Sequence, residues 1–551
     1  MAFQFSFPYT VDANYNKKVA YFCMEFGIDQ ALKTYAGGLG FLAGSHMKSA
    51  FELKQHLIGI GILWKYGYYN QRRKPDQTMD VVFEEKKYEF LQPTDIKFSI
   101  KIAKQDVWVT AYYLKPEIFN TAPIFFLTTD LPENDYLAKT TVHKLYDSNP
   151  ETKSAAAILL GEGGVKLLEQ LNWEPEIYHL NESHALPLGF YLYKKYKNIN
   201  EVRKRLVYTN HTPEESGNQI SSLPFLDKMS FFCDLPQAEI KSIMKSESEE
   251  MNHTLVALRL SGKANAVSKL HKNTLCKAWG VNDGICEIDS ITNAQNFEFW
   301  NDKELYDCLK INDIERIRVI KLMRKKELFE IIADQCGKIF NENICTLVFA
   351  KRFAEYKRPD IFFHDLVRFE KLVSDKEKPI QIIWAGKPYP MDFYGIGVFD
   401  KIVDLCKNHS NCSIITGYEI KLSKILKRGA DIWLNVPRLT HEASGTSGMS
   451  AAMNGAVNVG IPDGWFPEFA KDKINAFVVP PADINLPIHI QDDLDSANLY
   501  HLLESDILPT YYQFNSRWNE IVRNGLNDII PYFDSNRLAK EYYDKMYNMA
   551  T

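Results

Sequence analysis

Two stretches of this 551-residue chain bring together residue types that do chemistry. The first is Lys351-Arg352-Phe353-Ala354-Glu355-Tyr356-Lys357-Arg358, directly after an apolar run that ends at Ala350. Arginine offers a planar fork and lysine a mobile point charge, so such a cluster suits phosphate. A charge run is ordinarily a solvated helical face. Here it follows a buried strand, and open α/β sheets bind ligands beyond the carboxyl ends of their strands, which favours a site. Gly386-Lys387-Pro388 follows the next apolar strand in an analogous position. The second stretch runs from His441 to Trp465. Glu442 opens it, Ser444, Gly445, Thr446, Ser447 and Gly448 form a loop of small polar residues, and Met449 to Asn454 reads as a short helix. Backbone N–H groups at a helix start suit phosphate or sugar hydroxyls. Taken alone, the glycine loop reads first as an ordinary loop–helix–strand unit of an α/β domain.

The elements that must position these stretches alternate along the chain. Val19 to Phe26 is an apolar run interrupted only by Glu25, the pattern of a strand buried on both faces. Tyr35-Ala36-Gly37-Gly38-Leu39-Gly40 follows, then a helix over 41–53. This is not the Gly-x-Gly-x-x-Gly fingerprint, so no nicotinamide site is expected. Leu57 to Leu63 reads as a strand, 66–115 as inserted antiparallel strands, Ile124 to Leu127 as a return to the central sheet, and Thr152 to Leu171 as a helix. Glu176 to His184 and Arg205 to Pro213 each read as a strand ending in polar residues. The histidines there lack a compact ligand spacing, so no metal is expected, and for each a capping or core role weighs evenly against a ligand role. From about Asn293 the alternation restarts, with strands at 344–350, 381–385, 413–416 and 431–436 and helices at 359–373 and 419–427. After Asn515 the chain reads as helical up to Met549.

Bulk composition excludes several classes of function. Lys and Arg total 65 against 70 Asp and Glu, a net charge of −5, which gives no reason to bind nucleic acid or an anionic membrane. No apolar run approaches the roughly 20 residues of a membrane span. The N-terminus lacks a basic segment followed by an apolar one, so no secretory signal is expected. Nine scattered cysteines with no Cys-x-x-Cys point to reduced thiols and a cytoplasmic protein.

Together these residues resemble the α-glucan (glycogen, starch, maltodextrin) phosphorylase family in a short form. The resemblance covers Tyr35–Gly40, Leu180–His184, Tyr208–Pro213, Ala266–His271, Ile291–Asn293, Ala350–Arg358, Gly386-Lys387, Glu442–Gly448, Asn454-Gly455 and Asp463-Gly464. It implies an α/β chain of GT-B fold, with two Rossmann-like domains facing each other across a deep cleft. It also implies phosphorolysis of α-1,4-glucan by orthophosphate to α-glucose 1-phosphate, with retention. The implied domains are 1–292 with a β-rich insertion, 293–534, and a C-terminal helix over 535–551 that crosses back to the first domain. By matched motif, Arg352, Lys357, His184 and Glu442 are the catalytic set. Arg352, Lys357 and the backbone at Gly38 take the substrate phosphate. Lys351 and Tyr418 lie near the second, cofactor phosphate, and Thr446, Ser447 and Gly448 are further phosphate-binding positions. Leu39, His184, Asn293, Glu442, Ser444 and Gly445 hold glucosyl hydroxyls. The resemblance leaves room for a homodimer.

One position departs from the family pattern. The family attaches pyridoxal phosphate to the lysine that ends Glu-Ala-Ser-Gly-Thr-x-x-Met-Lys, and Ser450 stands there in this chain. Serine has no amine and forms no Schiff base, so covalent attachment is not expected. The next lysine downstream is Lys471, and Ala294 replaces a usual glycine. Two alternatives therefore stay open beside the phosphorylase. One is a pyridoxal-independent retaining glucosyltransferase whose nucleotide-sugar diphosphate fills both phosphate places. The other is an inactive glucan-binding homologue, which would have no need of an intact phosphate clamp.

Overall fold

The structure is a computed structural model that describes residues 3–213 and 218–548. The end of the C-terminal segment, 549–551, lies outside the described residues. The chain divides into two compact units, one of 1–68, 83–296 and 535–551, the other of 69–82 and 297–534.

The first unit is built on a nine-stranded sheet. Its order is Glu287–Ser290, Lys263–Ala266, Leu206–Thr209, Ile177–Asn181, Val19–Phe22, Leu57–Ile62, Ile124–Thr128, Gln105–Leu114 and Gln92–Ile102. The first seven run parallel, and Gln105–Leu114 pairs antiparallel with both its neighbours, so it alone runs against the others. Most residues of the central strands are buried on both faces, which is why they read as continuous apolar runs. The strand order reverses between Val19–Phe22 and Ile177–Asn181. At such a switch point the connections leave in opposite directions and open a crevice at the strand ends. Residues 535–548 pack within this unit as a helix, Ser535–Glu541, and a π-helical turn, Tyr542–Tyr547. The Tyr547 hydroxyl lies 2.7 Å from His179 Nδ1, and the Gln55 side chain donates to the Ala539 carbonyl at 3.0 Å.

The second unit has a six-stranded, all-parallel sheet ordered Cys412–Ile415, Ile380–Ala385, Cys345–Ala350, Ile432–Asn435, Val457–Gly460 and Ala476–Val478. Numbered along the chain this is 3-2-1-4-5-6, the doubly wound order of a Rossmann sheet, with its switch point between Cys345–Ala350 and Ile432–Asn435. A buried ion pair locks these two strands to the long helix Ile314–Cys336. Lys325 Nζ donates to Asp431 Oδ2 and to the Ile344 carbonyl, each at 2.6 Å, and the same carboxylate oxygen accepts from Thr346 N at 2.9 Å.

Residues 69–82 fall in the stretch read above as part of the first domain, yet they group with the second unit. They form an antiparallel hairpin, Asn70–Arg73 against Met79–Val82. The cause is a set of buried bonds. Gln71 Nε2 donates to the Gly386 carbonyl at 2.9 Å, the Tyr69 hydroxyl to the Pro388 carbonyl at 2.8 Å, and Lys387 Nζ to the Tyr69 carbonyl at 2.9 Å. Lys387 also pairs with Glu419 at 3.0 Å. The segment Gly386-Lys387-Pro388, read above as a candidate ligand position, is thus spent on holding this hairpin. The expected helix over 359–373 is also broken. A 3₁₀ turn, Ile361–His364, precedes the helix Leu366–Ser374, because the Asp365 side chain caps a new start by accepting from Arg368 N at 2.9 Å.

Replacing Lys325 by methionine keeps the side chain's volume but strands Asp431 in the interior. Breaking a buried pair in this way costs about 3–5 kcal/mol, so the Lys325→Met protein should unfold at clearly lower urea concentration than the parent. An unchanged first unfolding midpoint would show that the pair does not hold the unit together.

Candidate functional site

In the first unit Gly38, Leu39 and His184 follow the two strands that flank the switch point, while Asn293 follows the edge strand Glu287–Ser290. The chain leaves Phe22 and turns at Glu25, whose buried carboxylate accepts from Ala36 N at 2.6 Å and Gly37 N at 3.1 Å. The Tyr146 hydroxyl donates to the other oxygen at 2.7 Å, and its ring lies 5.9 Å from that of His184. Burial outweighs these bonds and holds the Glu25 carboxyl above the usual carboxylate range. Glu25 thus ties the glycine turn to the His184 turn, a role its position as the one charge in an apolar run did not disclose. A side chain at Gly40 would meet Tyr35 Cβ at 2.6 Å and Glu25 Oε2 at 2.7 Å, so packing requires glycine there. At Gly37 and Gly38 a Cβ would meet nothing within 4 Å. Packing gives no reason for glycine at these two, which leaves open space beside their backbone. Gly38 and Leu39 open the 15-residue helix Gly38–Glu52, which has no side-chain cap and no acidic residue in its first turn. Its exposed N–H groups suit an anion or sugar hydroxyls.

His184 sits in the 3₁₀ turn Ser183–Ala185, just after the strand Ile177–Asn181. Its Nδ1 is buried with no hydrogen-bond partner among the described residues, and Asn293 Oδ1 is in the same condition. Burial, with the positive charge of Lys153, brings the His184 ring down to about 4, so it is neutral at pH 7. Glu182, buried and at a backbone φ of 69°, accepts from His211 N at 2.6 Å and the Thr212 hydroxyl at 3.2 Å. It fixes the 208–213 loop rather than facing a ligand.

In the second unit the basic loop leaves Ala350 at the switch point. Lys351 is buried and its Nζ donates to Asn435 Oδ1, which bridges the two strands whose separation makes the crevice. Burial alone draws its amine down to about 7. Asn435 Nδ2 is buried without a partner among the described residues, a donor directed at the same place. Lys357 pairs with Glu442, so two residues expected to act on different groups are in direct contact. Burial pulls the Lys357 amine far down, the charges of Lys351 and Arg352 add to this, and Asp463 opposes it. Asp463 accepts from Glu442 N at 2.9 Å, and burial lifts its carboxyl to about 7. Arg352 is exposed, its guanidinium 3.3 Å from the Tyr356 hydroxyl. Arg358 plays a different part from its neighbours. It is buried, donates to the Val436 and Pro437 carbonyls at 2.9 Å each, and pairs with Asp495 at 2.7 Å and Asp492 at 3.1 Å. Arg438 closes the network on Asp492 and Glu355.

The glycine loop packs beside this cluster. Gly445 has φ +74°, and a Cβ there would approach the Glu442 carboxyl at 3.3 Å. Ser444 Oγ is buried with no partner among the described residues. The Trp433 indole donates to Ser447 Oγ at 3.3 Å. The following helix, Ser447–Ala452, has only six residues, so its dipole is small and Thr446, Ser447 and Gly448 contribute mainly as individual donors. Ser450 is fully buried, with its hydroxyl 3.3 Å from the carbonyls of Thr446 and Ser447 in its own helix. Tyr418 is reached by Ser423 Oγ at 3.3 Å, and burial pushes its phenol up to about 12.

Two Rossmann-like units, the second with desolvated cations at its switch point, define a glycosyltransferase-type enzyme of GT-B fold. Residues 301–474 match the family model described as carbohydrate phosphorylase, and residues 28–285 that of the starch synthase catalytic domain. A maltodextrin phosphorylase of Thermococcus litoralis is 30% identical over 97% of this chain and 71% of its own length. A glycogen phosphorylase of Aquifex aeolicus is 28% identical over 97% of this chain and 86% of its own. An uncharacterized protein of Methanocaldococcus jannaschii is 44% identical over 96% of this chain and all of its own. The chain belongs to the carbohydrate phosphorylase family. Among the described residues no helix is long and apolar enough to cross a membrane, and no cluster of His, Cys, Asp and Glu could hold a metal.

With its amine near 7, Lys351 is largely neutral at pH 8 in the free protein. An anion bound beside it restores the ammonium form. Titration with sulfate, which does not itself ionise there, should take up on the order of one proton per site at pH 8. Calorimetry in two buffers of different ionisation enthalpy measures this, and sulfate binding without proton uptake would refute the assignment.

Proposed function

We propose that this protein cleaves α-1,4-glucan with orthophosphate, releasing α-glucose 1-phosphate. The observation that carries this reading is the set of buried amines at the carboxyl end of a parallel sheet, Lys351 and Lys357, with the Arg352 fork beside them. Burying an ammonium without full compensation is costly, and an incoming phosphate supplies what is missing.

Arg352 and Lys357 bind the substrate phosphate and stabilise the charge that grows on it. Glu442, in contact with Lys357, exchanges part of that ion pair for sugar hydroxyls when glucan and phosphate are bound. Ser444 Oγ and the Gly445 backbone add further contacts to the glucosyl unit. In the first unit the neutral His184, Asn293 and the Gly38–Leu39 backbone offer donors and acceptors to hydroxyls. A neutral imidazole can do so without placing a second positive charge near a glycosyl carbon that itself becomes positive.

The family implies pyridoxal phosphate, and the residues around Lys351 fit its phosphate. Lys351 and Tyr418 border the position, with Thr446 and Gly448 in the adjoining loop, and the orphaned Asn435 amide is a further donor. When bound, the cofactor supplies a second phosphate beside that of the substrate. Ser450 does not fit as its attachment point, because its hydroxyl is spent on its own helix.

Purified protein incubated with maltodextrin should release glucose 1-phosphate only when orthophosphate is present. Arg352→Ala should lower turnover by roughly a hundredfold, about 3 kcal/mol of transition-state stabilisation, and Arg352→Lys should recover little of it because lysine lacks the fork. Glucosyl transfer from a nucleotide–glucose in place of phosphorolysis would overturn this reading in favour of the pyridoxal-independent transferase.

A further inference from the structure

Lys321, Lys325, Lys351 and Lys427 are four buried lysines of the second unit near the helix that carries Ser450. Three are engaged by oxygen. Lys321 Nζ donates to the carbonyls of Arg428, Ala430 and Asn454 at 2.7–2.9 Å, Lys325 pairs with Asp431, and Lys351 bonds Asn435. The fourth, Lys427, is fully buried on the helix Ile420–Gly429, and its Nζ stands 3.8 Å from the centre of the Trp300 ring. An aromatic face is a weak partner for a buried ammonium compared with a carboxylate or a set of carbonyls.

Lys427 is beside the position where the family keeps its lysine. The Trp300 carbonyl accepts from Asn454 Nδ2 at 2.8 Å, and the same amide donates to the Ser450 carbonyl at 2.7 Å. Leu426 and Ala430, on either side of Lys427 in the chain, share an apolar cluster with Ala451, the neighbour of Ser450. One helical turn before Lys427 lies Ser423, whose hydroxyl reaches Tyr418, so Tyr418 and Lys427 border one face of this helix. Lys427 is also close enough to Lys351 to feel its charge.

We propose that Lys427 is the residue that attaches the pyridoxal cofactor, taking the place of the lysine absent at position 450. This rests on the phosphorylase reading given above. The attachment needs a neutral amine. Burial, followed by the charges of Lys424 and Lys351, drives the Lys427 amine well below the ordinary lysine value. Its lone pair attacks the aldehyde carbon and a C=N bond forms. The carbonyl oxygen leaves as water, taking both amine protons, and no oxidant or reductant is consumed. Protonation of the resulting imine leaves a cation next to Trp300, where the ring face favours it.

Full-length protein is loaded with pyridoxal phosphate, reduced with borohydride, digested and mapped by mass spectrometry. The expected result is about one pyridoxyl group per chain, on the peptide that contains Lys427. An adduct on Lys351 or on surface lysines alone, or none at all, overturns the proposal. Lys427→Met should lose the adduct. Because loss of fold would also remove it, the double variant Lys427→Met/Ser450→Lys is the control. Its amine returns at the family position, and the adduct should move to the peptide carrying position 450. Lys427→Met keeping its adduct overturns the assignment. Orthophosphate-dependent release of glucose 1-phosphate, assayed in parallel, separates the two readings. Phosphorolysis without a Lys427 adduct overturns the attachment and leaves the function standing. A Lys427 adduct without phosphorolysis supports the attachment and removes the function.

Discussion

The second unit is organised by the cost of burying positive charge. A buried ammonium or guanidinium has to recover several kcal/mol of lost hydration from partners of opposite sign or from well-placed carbonyls. Lys325 and Arg358 are met by opposite charge, from Asp431 and from two aspartates with two carbonyls, whereas Lys321 has three carbonyls and burial still draws its amine down to about 8. Lys351 bonds a carboxamide and Lys427 faces an indole ring, and burial drives both amines down. The difference divides one population of buried cations into those that hold the fold and those that hold something else. Arg358 shows the dependence most directly. It ends the same eight-residue run as Lys351, and by fixing the loop to residues 436–438 it sets where Lys351, Arg352 and Lys357 begin and end.

Much of this could be read from residue order. Most of the parallel strands follow from runs of β-branched and apolar residues, but Lys263–Ala266 and Glu287–Ser290 at the edge of the first sheet do not, and were not legible. What periodicity could not convey was which strands are neighbours. The 3-2-1-4-5-6 order brings Lys351 and Asn435 together across 84 residues, where they bond. The hairpin of 69–82 was misassigned for the same reason. Its alternating pattern says only that it forms antiparallel strands, whereas its place depends on side-chain bonds to residues more than 300 positions away. Glu25 and Asp463 were visible as charges among apolar neighbours, yet their bonds to distant N–H groups were not.

Lys427 was missed for a different reason. A search for a replacement amine along the motif runs downstream from Ser450 and meets Lys471, which lies outside the helix. The helix that carries Lys427, 23 positions earlier in sequence, packs on the same apolar cluster as Ala451, the neighbour of Ser450. In a helix rich in lysine, Lys421, Lys424, Lys427 and Arg428, one buried member cannot be told from its exposed neighbours by composition alone.

A Schiff base constrains its lysine less than it first seems to. It requires an amine within reach of one carbon, free of its proton, on a backbone that does not move, and it does not require a particular helix. The long side chain of lysine can approach one point from either of two packed helices, so Lys427 can stand in for the lysine absent at position 450 under the proposal above. Serine at 450 removes an amine from a helix of small residues and folds its hydroxyl onto that helix's own carbonyls, so no orphaned polar group is left behind. Lysine at 427 adds an amine where an apolar residue would satisfy the packing just as well. A buried lysine of that kind is destabilising by itself, and under the attachment proposed above its nitrogen is bound to carbon, with the charge of the protonated imine set against the Trp300 ring face.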